Sequence, residues 1–202
     1  MAEPTLILAS ASPRRLDLLR QIGCEPQHLI AASIDEAPLK NELPRIHAIR
    51  VAREKAEAVF EKPEVAALSG PFVILAADTV VGVGRRILPK AETEEDARAC
   101  LALLSGRAHR VHTALALIGR DGQPRLRHVE TKVGFKRLSK EEIETYIASK
   151  EWQGKAGGYA IQGLAAAYID FISGSYSGVV GLPLYETAQL LGSFGIKAKR
   201  AP

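Results

Sequence analysis

Leu6-Ile7-Leu8-Ala9-Ser10-Ala11-Ser12-Pro13-Arg14-Arg15 is the stretch that decides the fold. The apolar run Thr5–Ala9 reads as a buried strand. It stops at Ser10-Ala11-Ser12. Ser12 is placed to cap a helix, Pro13 suits its first position, and Gly23 closes it. Leu16, Leu19 and Ile22 mark the apolar side of that helix. Strand, tight turn and helix together open an α/β domain. Arg14 and Arg15 fall in the first helical turn, where the helix dipole already supplies positive charge. Arginines, serine hydroxyls and free backbone N–H groups at one helix start make a place for an anion, with phosphate the best match. Two solvated arginines on an ordinary strand–helix unit are the plainer alternative.

Working outward, a polar loop through Asp35-Glu36 leads to a helix from Pro44 to Phe60, with Ile49, Ala52, Ala56 and Val59 on one stripe. Phe72–Ala77 reads as a central strand that ends at Asp78-Thr79, with Val80–Val83 continuing into a hairpin at Gly84-Arg85. Thr93 caps a helix to Leu104. Val111–Ile118 and Arg125–Phe135 form a hairpin around Asp121-Gly122. Ser139 with Glu142 makes a capping box for a helix to Ser149. A glycine-rich loop spans Gly154–Gly163, Ala165–Ile172 reads as a strand, and Pro183 starts a last helix ending near Gly195. The expected fold class is α/β: a mixed, twisted sheet with flanking helices, forming one domain over residues 1–202.

Composition narrows the function. With 202 residues and 47% hydrophobic content the chain builds a real core. A formal net charge of +4, spread along the chain, favours a phosphorylated small molecule over nucleic acid. Aromatic residues make up 5%, too few for a base-stacking platform, so no nucleic-acid partner is expected. Cys24 and Cys100 have no metal or redox spacing and read as buried hydrophobes in a reducing compartment. No run is long enough to span a membrane and the apolar start is too short for a signal peptide, so a cytoplasmic location is expected.

Asp78 is the second chemical feature. A carboxylate set directly after six apolar residues must be paired, hydrated or metal-bound, because burying it bare is costly. It reads as a Mg²⁺ ligand or a group orienting an attacking water, against an aspartate that merely starts a turn. Glu36 is a candidate second oxygen ligand, although by itself it reads as a solvated loop charge. Lys55 falls at the edge of the apolar stripe, where most lysines snorkel, and nothing local marks Lys90. The 154–163 loop has four glycines in ten residues, but fits neither a Walker A loop nor a dinucleotide fingerprint. Gln162 within it suits a base edge, and a mobile surface loop is the competing reading. Gly174–Pro183 reads as a structural approach to the last helix, with part of a pocket wall as the alternative.

Six segments, in order, resemble the Maf family of nucleoside triphosphate pyrophosphatases across nearly the whole chain. They are Ala9-Ser10-Ala11-Ser12-Pro13-Arg14-Arg15, Ala52-Arg53-Glu54-Lys55-Ala56, Ala77-Asp78-Thr79-Val80-Val81, Leu104-Ser105-Gly106, Lys155–Gly163 and Val180-Gly181-Leu182-Pro183. The resemblance implies two lobes around a cleft and a likeness to inosine triphosphatase folds. It also implies a homodimer, and hydrolysis of a nucleoside triphosphate to monophosphate and pyrophosphate with a divalent cation, Mg²⁺ or Mn²⁺. By position, Asp78 matches the family's catalytic acid, with Glu36 beside it for metal. Ser10, Arg14, Arg15, Lys55, Lys90 and Gln162 match its polar cleft. Asp-Thr at 78–79 and the late Tyr-x-Ile-Gln are similar to the dTTP/UTP branch, with Arg14, Thr79 and Gln162 selecting the base. Activity on 7-methyl-GTP or other modified nucleotides, or nucleotide sensing in cell division without turnover, are the alternatives. Two departures from the family pattern stand out: Pro89-Lys90-Ala91 in place of Gly/Glu-Lys-Pro, and Gly-Tyr-Ala-Ile in place of Ala-Tyr-Gly-Ile.

Overall fold

A computed structural model describes residues 4–199, so the two ends of the expected 1–202 domain lie outside the described residues. In chain order the elements are β1 (Thr5–Leu8), α1 (Pro13–Gln21), β2 (His28–Leu29), α2 (Pro44–Phe60), α3 (Pro63–Ala66), β3 (Phe72–Val83), β4 (Arg86–Leu88) and α4 (Glu94–Leu104). There follow β5 (Ala108–Gly119), β6 (Pro124–Phe135), α5 (Lys140–Ser149), a 3₁₀ turn (Leu164–Tyr168), β7 (Ile169–Ser173), α6 (Tyr176–Val180) and α7 (Leu184–Ser193). The sheet order is β2-β1-β3-β5-β6-β7, with β4 on β3. The β2, β1 and β3 pairings are parallel and the others antiparallel, as expected for a mixed sheet.

Alternation along the strands sends side chains to two faces. Leu6, Leu8, Val73, Leu75 and Leu115 join a core with α1, α4, α5 and the late helices. Ile7, Ile74, Ala76 and Ala116 join a second core under α2 and α3. Ala48, Ala52 and Ala56 are fully buried on α2, and their small size lets the helix lie close to the sheet. Enlarging one, as in Ala52→Leu, overpacks that face at about 1–3 kcal/mol.

Where elements were marked by caps and turns, sequence and structure agree. Thr93 and Ser139 both make full capping boxes, and Gly84 takes the positive φ that the β3–β4 turn needs. Five readings need correction. Ser12 stands at the N-cap of α1 but makes no side-chain cap bond; its neighbour Ser10 instead accepts from the Ser12 N–H at 3.2 Å. Residues 164–168 wind into the 3₁₀ turn before the strand at 169–173, because an alanine run lacks the β-branching that favours extension. The buried stripe of α2 runs through His47, Val51 and Lys55, so Lys55 sits within it and Ile49 is only partly buried. Residues 174–183 contain α6 and wall the cleft, beyond a structural approach to α7.

The correction that matters most concerns β3. Asp78 does not end a strand; it lies inside one of 12 residues. β1 pairs with β3 only from Phe72 to Leu75, and β4 pairs with it only from Val81. Asp78 therefore faces the gap between those two partners, just past the C-terminal end of parallel β1, which is where ligands of parallel sheets collect.

Candidate active site

The gap on β3 is filled by the turn from β1 into α1. Arg15 crosses it: its Nε donates to the Gly181 carbonyl at 2.9 Å, one terminal nitrogen to Ser10 Oγ at 3.2 Å and the other to Thr79 Oγ1 at 3.4 Å. Gly181 has φ 140°, a conformation that suits glycine and brings that carbonyl to the guanidinium. Thr113 on β5 donates to the Gly178 carbonyl at 2.7 Å and lies 3.3 Å from Thr79 Oγ1. Its one proton is thus spent on Gly178, which orients the Thr79 hydroxyl. Burial pulls the Arg15 guanidinium below its usual range while Asp78 opposes this, and partial burial lowers Arg14 too.

Opposite Arg15, four charges alternate in sign. Lys55 Nζ lies 2.9 Å from Asp78 Oδ1 and 2.8 Å from Glu36 Oε1, and Lys90 Nζ lies 2.8 Å from Glu36 Oε2. Asp78 is 5% exposed and Lys55 7%, so each needs the other inside the protein. Partial burial pushes the Glu36 carboxyl up, but hydrogen bonds from Lys55 and Lys90 outweigh it and hold the group at about 2. Lys90 gets its place from the backbone. Gly157 N–H donates to Pro89 O at 2.9 Å, Ala91 N–H to Lys155 O at 3.1 Å, and Gly154 N–H to Ala91 O at 2.9 Å. These bonds stitch Pro89-Lys90-Ala91 to the glycine-rich loop. Gly157 has φ 67°, and a Cβ there would meet Val81 at 2.9 Å.

Around these groups lies an open cleft of about 770 Å³. Arg14, Arg15, Lys55, Asp78, Thr79, Lys90, Lys155 and Tyr159 line it. A recess beside it adds Ser10 and Glu36, and another adds Pro38, His47 and Val80. The structure thus brings together Ser10, Arg14, Arg15, Glu36, Lys55, Asp78, Thr79 and Lys90. Gln162 is exposed and does not line the cleft. Three contributors escaped sequence reading. Thr113 and His109 lie in plain strand sequence with no local mark, and Lys155 lies in the glycine-rich loop that was singled out. His109 is buried beneath the cleft, its Nε2 2.8 Å from the Tyr159 hydroxyl and its Nδ1 without a partner. Burial pushes that imidazole down to about 4.

Two carboxylates, Asp78 and Glu36, converge on one cationic nitrogen. A Mg²⁺-type ion is commonly held by one or two carboxylates, with phosphate oxygens and water completing its shell. Among the described residues no group of three or more His, Cys, Asp or Glu side chains forms a metal cage. The donor set therefore fits a cation that arrives with its phosphate ligand. Fold and site together define an α/β protein whose cleft offers an anion five cations, a helix N-terminus and two carboxylates.

The chain belongs to the Maf-like protein family, which it matches over residues 5–194. It is 60% identical over 196 residues to the dTTP/UTP pyrophosphatase of Caulobacter vibrioides, covering 97% of this chain and 98% of that protein. It is 57% identical over 192 residues to the dTTP/UTP pyrophosphatase of Mesorhizobium japonicum, covering 95% and 92%. Among solved structures, a HAM1 protein from Coxiella burnetii aligns at TM-score 0.48 and 17% identity, covering 94% of this chain and 99% of that one. No helix among the described residues is long and apolar enough to cross a membrane.

Proposed function

We propose that this chain hydrolyses dTTP and UTP to the nucleoside monophosphate and pyrophosphate. One observation carries the reading: the alternating Asp78–Lys55–Glu36–Lys90 chain opens onto the arginine-bearing start of α1. The names of the 57–60% identical relatives supply the nucleotide and the bond cleaved.

In this reading Ser10, Arg14, Arg15, Lys55 and Lys90 bind the triphosphate and offset its charge as the bond breaks. Asp78 takes the proton of a water whose oxygen bonds to the α-phosphorus. The bond from that phosphorus to the α–β bridging oxygen breaks, and pyrophosphate leaves with both electrons of that bond. Glu36 and Asp78 would hold Mg²⁺ or Mn²⁺, which when bound neutralises phosphate charge. Arg14 and Thr79 face the base, with Gln162 joining them if the 154–163 loop folds inward. The enzyme acts in the cytoplasm as a homodimer, and sedimentation equilibrium giving a single-chain mass would refute the dimer.

Pyrophosphate release with Mg²⁺ across dTTP, UTP, CTP, ATP, GTP and 7-methyl-GTP tests the reading. Release confined to dTTP and UTP is expected. Release from another nucleotide would keep the chemistry and change the substrate. A folded protein that releases none would be a nucleotide sensor.

A further inference from the structure

The loop that carries Glu36 has almost no regular structure between β2 and α2. A carboxylate on such a segment is useful only if something fixes it to within a fraction of an ångström. A partly buried ion pair between Glu42, at the end of that loop, and Arg50 on α2 does this. Glu42, its side chain 4% exposed, takes Arg50 Nε on Oε1 at 2.7 Å and an Arg50 terminal nitrogen on Oε2 at 2.9 Å. The same Oε2 takes His47 Nδ1 at 2.8 Å and the Leu39 N–H at 3.0 Å. That Arg50 nitrogen also donates to the Ala37 carbonyl at 3.0 Å, one residue beyond Glu36. Glu54 holds the other terminal nitrogen at 2.9 Å. On the near side of Glu36, Asp35 Oδ1 accepts the Ala37 N–H at 2.9 Å.

Arg50 and Lys55 stand on one helix. α2 therefore sets both ends of the Lys55–Glu36 contact: Lys55 directly, and Glu36 through Arg50 and the Ala37 carbonyl. A staple needed only for stability has no reason to grip the backbone next to an active-site carboxylate with a two-point fork. Lysine is not an equivalent there, because a point charge cannot bond Glu42 and Ala37 in fixed geometry.

We propose that Glu42 and Arg50 are positioning residues that act on the reaction through Glu36 and touch neither nucleotide nor metal. The inference rests on the reading of Glu36 as an active-site group under Proposed function. The test is a double-mutant cycle with Arg50→Lys and Glu36→Gln, measuring kcat and KM for dTTP. Arg50→Lys alone is expected to lower kcat about 10–100-fold with KM changed less than about threefold. In the Glu36→Gln background it is expected to cost less than about twofold more, since the path it serves is already gone. Equal losses in both backgrounds would overturn the proposal.

A second readout does not use turnover. Affinity for Mn²⁺ in the presence of the α,β-methylene analogue of dUTP, read by water proton relaxation, should weaken about tenfold in Arg50→Lys. It should not weaken further when Arg50→Lys is added to Glu36→Gln. Circular dichroism checks that each variant is folded, and Glu42→Gln, which keeps the side chain's shape, should reproduce the pattern; a Glu42→Gln loss undiminished by Glu36→Gln would overturn it. A wild type that binds the Mn²⁺–analogue complex but releases no pyrophosphate would sink the proposed function and leave the positioning role standing on this second readout.

Discussion

The two ends of the cleft are built on opposite terms. At one end Asp78, Lys55, Glu36 and Lys90 form a ladder of ion pairs with side chains from a strand, a helix, a loop and the bridge to the glycine-rich loop. At the other, Tyr159, His109 and Phe135 pack as edge-to-face and tilted rings, with ring centres 5.0–5.7 Å apart and one internal hydrogen bond. The charged end holds groups that a ligand's charges can replace. The aromatic end holds groups with no such role and shapes the floor. The difference teaches that chemistry and stability are weighted differently along this cleft. Substitutions at the first end should cost turnover, and those at the second should cost folding free energy.

Asp78→Asn gives the largest expected effect, a fall of about a thousandfold in turnover with a smaller cost in stability, because the asparagine oxygen still accepts from Lys55 and Glu36 still pairs that lysine. A comparable loss of stability would break the contrast. Next is Glu36→Gln, with a loss of about a hundredfold that higher metal concentration partly restores, measured as initial rates across a Mg²⁺ titration. At the other end Tyr159→Phe leaves the buried His109 Nε2 without its partner. It should cost about 1–3 kcal/mol in urea unfolding while turnover stays within about threefold.

pH separates the two ends again. Glu36 and Glu42 are held at about 2 against an ordinary 4.5, so the unfolded chain takes up their protons first as pH falls. For Glu42 the chief cause is its hydrogen bonds from Arg50. The stability these carboxylates give is complete above 4.5 and is lost as pH falls through that value towards 2. His109 is pushed down to about 4 from 6.5, so the stability from keeping it neutral is lost between 6.5 and 4. Unfolding free energy against pH should therefore show two descending windows. Glu42→Gln flattens the lower and His109→Phe the upper; a single window unaffected by either would refute the assignment. The smallest effect is expected at Gln162→Ala, a change under about threefold in kcat/KM for UTP, as an exposed side chain predicts. A large loss there would show that the 154–163 loop closes on the nucleotide.

Much of the fold was legible because its signals are local. Pro44 marks a helix start through its fixed φ, Thr93 and Ser139 through bonds within a few residues, and Gly84 and Gly122 mark turns through their own φ. The end of β3 was misread because Asp78-Thr79 resembles a strand terminus. Only the partner β5, which pairs with β3 from Val73 through Gly82, keeps the chain extended through a buried carboxylate. Lys55 was placed at the edge of its helix because a lysine is discounted in any hydrophobic count. Its burial depends on Asp78 and Glu36, which lie 23 and 19 positions away in sequence and 2.9 and 2.8 Å away in space.

By itself the sequence determined the α/β class, the order of the longer elements and the family, since periodicity, caps and motif order are properties of neighbours along the chain. It also marked Ser10, Arg14, Asp78 and the glycine-rich loop as the chemical segments. Only the tertiary structure decided that Asp78 shares Lys55 with Glu36, that Arg15 is tied to Gly181, that the glycine-rich loop holds Lys90, and that Arg50 reaches the backbone beside Glu36. The reason is physical. An ion pair is fixed by distance in space and by the water excluded around it, and both arise only when distant segments pack together.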